Sequence, residues 1–183
     1  MRILSVDCST NSFAYGVIVD GKVESYGEIF FVGSELNYRL KDARLKMEAL
    51  IGDFQEMDID YIAFEDVVMV KSVRTASSMA KMFGVAISIL MDIGPKIILV
   101  PPLKWQESIG VTSPRGNARK ELIAGRTELK TKSQIDKYIR ELRKQKIMDY
   151  VEEKSGVVTT SDNISDSIAI GYWCYELMKD GDF

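Results

Sequence analysis

The architecture turns on residues 2–31, RILSVDCSTNSFAYGVIVDGKVESYGEIFF. Arg2–Asp7 is short and apolar and ends on an acid. Phe13–Asp20 follows, then an Asp20-Gly21 turn, then Lys22–Phe31. Asp-Gly between two strand-like runs marks a tight hairpin. Three strands in an antiparallel meander are therefore expected at the start of the chain.

Further along, Leu36, Leu40, Ala43, Met47, Leu50, Ile51 and Phe54 recur at spacings of three and four. That period predicts an amphipathic helix from about Ser34 to Glu56. Asp60–Glu65 reads as a fourth strand, again ending on an acid. Ser72–Met91, rich in Ala, Met, Ile and Ser, reads as a largely buried helix, and Lys96–Val100 as a fifth strand. Helices are expected near Lys104–Ile109, Ala118–Ala124, Ser133–Glu153 and Asn163–Met178, with a Gly/Ser/Pro loop at Gly110–Asn117. Strands followed by alternating helices and strands predict an α/β fold. The sheet should be mixed and five-stranded, an antiparallel meander plus parallel strands, with helices on both faces. Residues 1–183 read as one domain. Ala124–Lys132 is a candidate flexible joint, and a longer basic helical segment spans about 125–154.

The chain contains no histidine. That excludes Ser-His-Asp and Cys-His catalysis, His-ligated zinc and haem, and any imidazole base. Two cysteines, Cys8 and Cys174, are too few for a zinc cage or a disulfide framework. No disulfide and a reducing, cytoplasmic setting are expected. No apolar run approaches membrane-spanning length, so a soluble protein with no membrane partner is expected. The net charge of −3 conceals an asymmetry: Pro102–Lys146 holds 12 Lys and Arg against 5 Asp and Glu, leaving the rest of the chain at −10. Such a segment points to a polyanion-binding surface or to an ordinary solvated helical face.

The acids carry the chemistry. Asp7 and Glu65 end two strands, and groups at the carboxyl ends of strands face the ligand crevice of an open α/β sheet. If those strands are neighbours, the two carboxylates meet. Asp162 and Asp166 lie four apart, which places them on one face of the last helix. Uncompensated, four clustered carboxylates repel one another; cations between them remove that cost. Oxygen ligands without nitrogen or sulfur select Mg²⁺ or Mn²⁺. Two such ions activate water and steady the leaving oxygen of a phosphodiester. Taken singly, each acid has an ordinary reading: a turn or cap for the strand ends, an N-cap for Asp162, a solvated position for Asp166.

Four stretches resemble the motifs of RuvC-type Holliday-junction resolvases, in the family order. They are Ile3-Leu-Ser-Val-Asp7-Cys-Ser-Thr with Tyr15-Gly16-Val17-Ile18; Glu65-Asp-Val-Val-Met-Val-Lys71 with Ser77 to Gly84; Pro101-Pro-Leu-Lys104 with Gly116-Asn-Ala-Arg-Lys120; and Asp162-Asn-Ile-Ser-Asp166. The resemblance implies an RNase H-like fold and a Mg²⁺-dependent endonuclease, a homodimer nicking four-way DNA junctions symmetrically. It implies Asp7, Glu65 and Asp166 as catalytic metal ligands, two ions per site. Many members have closing aspartates three apart, which points to Asn163 as the fourth ligand; others point to Asp162, taken here because a carboxylate is the better Mg²⁺ ligand.

Lys71, Arg74, Lys81, Lys104, Arg115, Arg119 and Lys120 are the candidate phosphate contacts, and Trp105 is a base-stacking or a packing residue. Val68 and Met69 stand where bacterial members often carry an aromatic wedge. The longer 125–154 segment is similar to phage-encoded members. A fork or flap nuclease of the same fold, or a non-catalytic nucleic-acid- or nucleotide-binding member, are the other readings.

Overall fold

The computed structural model describes residues 1–66 and 72–181. The chain runs β1 (Arg2–Cys8), β2 (Ser12–Val19), β3 (Lys22–Phe30), α1 (Leu36–Gln55), β4 (Tyr61–Glu65), α2 (Val73–Leu90), a 3-10 turn (Met91–Ile93), β5 (Lys96–Val100), α3 (Pro102–Ser108), α4 (Gly116–Ile123), α5 (Lys132–Ser155) and α6 (Asp162–Lys179). The sheet order is β3-β2-β1-β4-β5. β1–β2 and β2–β3 pair antiparallel, β1–β4 and β4–β5 parallel. The hairpin turn has Asp20 and Gly21 both at positive φ, 48° and 76°, the twist that suits a two-residue connection.

Side chains alternate across the sheet. Leu4, Val6, Val17 and Phe64 pack under Met47 and Phe54 of α1 and Met82 and Ile89 of α2. Ile3, Ile18, Ala63 and Ile98 pack on the other face, under Trp105 of α3, Val151 of α5 and Ile168 and Tyr172 of α6. α6 lies close against β1 and β2 because its contact surface is small. A Cβ on Gly171 would stand 2.5 Å from Ser5 Oγ and 2.6 Å from Ile18 Cγ1.

Three expectations need correction. α2 is not largely buried: only Met82, Ala86, Ile89 and Leu90 are, and Val73 is 86% exposed. The helix packs chiefly on α1, and its buried residues all lie in its second half. Second, Val73–Ile93 is long and apolar enough to cross a membrane by length and composition. Arg74 and Lys81 interrupt the apolar run, which is why the linear sequence conceals it. Third, Asp162 does not cap α6. Ser161 does, its Oγ accepting from Ile164 N at 3.3 Å, and Asp162 is the first helical residue.

Candidate active site

The parallel register pairs Ser5 with Ala63 and Val6 with Phe64, so Asp7 continues alongside Glu65 at the carboxyl ends of β1 and β4. Both acids emerge on the face that α6 covers. Asp166, one turn into α6, is presented to the same place because Gly171 and Gly16 let the helix sit low on the sheet.

These acids interact strongly. Poor solvation pushes Asp7 well above the usual carboxylate range, and the charges of Glu65, Asp166, Asp162 and Glu28 push in the same direction. Burial, then Glu65 and Asp162, raises Asp166 to about 8, against the charges of Lys144 and Arg143. Burial also raises Glu65, while the Trp105 indole and Arg143 oppose it. Each acid keeps part of its surface accessible. Asp166 Oδ1 is shut off from solvent and has no hydrogen-bond partner among the described residues.

Neighbouring groups engage two of the acids. Trp105, fully buried, donates from Nε1 to Glu65 Oε1 at 2.8 Å. Lys144 of α5 forms an ion pair with Asp162. An open cleft of about 360 Å³ between α5 and the start of α6 runs past that pair. Among the described residues, no three acidic or thiol side chains already form a metal cage. Asp162 is engaged by Lys144. The chemistry of the set still fits a hard divalent cation. The donors are all oxygens, their proton affinities are raised, and one buried carboxylate oxygen has no partner.

Three features were missed from sequence. Glu28 of β3 accepts Ser161 Oγ and Asn163 Nδ2, each at 2.6 Å. Arg143 and Lys144 were read only as part of a basic helix, yet their charges reach the acids; the signal was their place in the longer 125–154 segment. Trp105 is a packing residue that cannot stack on a base, and it also orients Glu65.

Among solved structures, Thermus thermophilus RuvC in complex with Holliday junction substrate matches with a TM-score of 0.70 and 10% identity, over 99% of this chain and 97% of that one. A second Thermus thermophilus RuvC structure matches at 0.68, again with 10% identity over 99% and 97%. The fold is that of RuvC. The yeast mitochondrial Holliday junction resolvase Ydc2 matches at 0.50 with 12% identity, over 98% of this chain and 80% of that one. No family model and no curated protein sequence matches. The mixed five-stranded sheet with helices on both faces is thus the RNase H-like architecture in its RuvC form.

Within this RuvC fold the basic candidates fall into two groups. Arg74 and Lys81 are exposed on α2 and line an open groove of about 580 Å³ with Arg39, Ser77 and Ser78. Lys104, Arg115 and Lys120 are exposed on and around α3 and α4. α3 starts where β5 ends, so Lys104 stands at the carboxyl edge of the sheet. Arg119 differs: its Nη2 bonds Asp136 Oδ1 of α5 at 2.6 Å, tying α4 to α5. Lys71, Val68 and Met69 lie outside the described residues.

Proposed function

We propose that this chain is a divalent-metal-dependent endonuclease that resolves four-way DNA junctions by paired nicks. The observation that carries the reading is the β1–β4 register. It sets Asp7 beside Glu65 under Asp166, in a chain with the RuvC fold. Similar structures include a RuvC bound to a Holliday junction and a Holliday junction resolvase.

Asp7, Glu65, Asp162 and Asp166 would hold the metal, Mg²⁺ or Mn²⁺, two ions per site. Bound divalent cations supply Lewis acidity toward the phosphate and lower the pKa of water. The chain's own residues do the rest. Trp105 fixes the rotamer of Glu65. Arg143 and Lys144 offset part of the charge of the acids. Arg74, Lys81, Lys104, Arg115 and Lys120 contact phosphates, and these contacts position DNA without reading sequence. Arg119 contributes to that surface through its bond to Asp136. Paired cuts across a symmetric junction need two symmetry-related sites, so the working unit is a homodimer. The whole chain acts as one nuclease domain on DNA in the cytoplasm.

A panel of synthetic substrates tests this: a four-way junction, a fork, a flap and a linear duplex, each with Mg²⁺ and mapped on both strands. Paired nicks confined to the four-way junction support the reading. Preferential cutting of forks or flaps, equal cutting of linear duplex, or no cutting of any substrate overturns it.

A further inference from the structure

Glu28 lies two strands from Asp7 but at its level. Asp7 pairs with Ala14, and Ala14 pairs with Glu28, so all three side chains emerge in one row on the face under α6. The Glu28 carboxylate uses both oxygens on the start of that helix. Oε2 accepts from Ser161 Oγ and Oε1 from Asn163 Nδ2, each at 2.6 Å. Asn163 Nδ2 also donates to Ser12 Oγ at 3.1 Å. A carboxylate only accepts, so the amide nitrogen must face Glu28. The contact needs one acid and one amide. Two acids at this separation would repel, and two neutral groups would leave the helix start without a charged partner.

We infer that Glu28 is a positioning residue for the carboxylate site. It fixes the first turn of α6, and with it Asp162 and Asp166 over Asp7, and adds negative potential that draws a divalent cation. This rests on the metal-dependent reading above. Glu28 is held to touch neither DNA nor the reacting atoms; it acts through Ser161 and Asn163.

The test is calorimetric affinity for Mn²⁺ alone, without DNA, on the full chain, with thermal melting in parallel. E28Q should fold and bind Mn²⁺ about tenfold more weakly, the usual scale for groups that orient metal ligands. N163D should lower the Tm, because two acids then face each other. E28Q/N163D exchanges acid and amide and should restore the Tm lost in N163D. A purely structural Glu28 would change the Tm and leave Mn²⁺ affinity at the wild-type value. E28Q with wild-type affinity, or a double variant melting no higher than N163D, overturns the inference. D7N separates the two levels. If D7N loses Mn²⁺ and E28Q keeps it, the Glu28 inference fails and the metal site stands. If D7N binds like wild type, both fail.

Discussion

The indole of Trp105 donates to Glu65 across 40 residues of sequence, Nε1 to Oε1 at 2.8 Å, from a side chain with no exposed surface. One residue thus fills the core beneath α6 and aims a carboxylate of the candidate site. Replacing Trp105 with Phe keeps most of the packing and removes the donor. A hydrogen bond to a charged group is worth about 1.5–3 kcal/mol, so W105F should lose roughly that in denaturant unfolding. The indole also holds the Glu65 carboxyl down against the effect of burial. Without it the acid binds its proton more tightly, and metal affinity at neutral pH should fall about tenfold. Calorimetry with Mn²⁺ checks the second effect separately from the first.

The pH dependence of the metal-free protein follows from Asp166. Its folded pKa is about 8, from an ordinary 3.8. Between those values the unfolded chain has released a proton that the folded chain keeps. The Asp166 contribution to stability is therefore fully present below about pH 4, is lost as pH rises from 4 to 8, and Asp7 and Glu65, also raised, act in the same direction. Metal binds the ionised form, so Mn²⁺ affinity should rise over the same range and binding should release protons. Urea melts from pH 5 to 9, with and without Mn²⁺, show whether the two curves diverge as pH rises.

Gly171 and Gly84 make an internal contrast. A methyl on Gly171 meets Ser5 Oγ and Ile18 Cγ1, whereas one on Gly84 meets nothing within 4 Å. Both glycines are helical. G84A should stabilise by roughly 0.5–1 kcal/mol through helix propensity alone. G171A should destabilise by about 1–3 kcal/mol, because α6 must lift from the sheet. It should also weaken Mn²⁺ binding, since Asp166 moves with the helix. Thermal melts and Mn²⁺ titration of the two variants read the difference.

The parts of this picture that are local in sequence were legible there. The Asp20-Gly21 turn announced the meander, and acids ending two apolar runs announced a pair of carboxylates at a sheet edge. Glu28 was hidden by a bulge. Val19 pairs with Lys22 and Ile18 with Val23, but Val17 pairs with Ser25. The skipped residue, Glu24, shifts every later pair by one. Counted straight from the turn, Gly27 would face Ala14 and Glu28 would point to the opposite face. The ion pair of Lys144 with Asp162 depends on how α5 lies across α6, which no periodicity within α5 specifies. The apolar composition of α2 suggested burial, but composition does not say how far a helix overhangs the sheet.

The most direct test of the central claim is strand nicking of a synthetic four-way junction with Mg²⁺ by the wild-type chain and by D7N, with junction binding measured alongside. Asn keeps the shape of Asp7 and removes its charge, while the basic surfaces on α2, α3 and α4 are untouched. The wild type should nick both strands, and D7N should bind the junction with near wild-type affinity and leave it uncut. Nicking by D7N at the wild-type rate would contradict the carboxylate site as the centre of the chemistry.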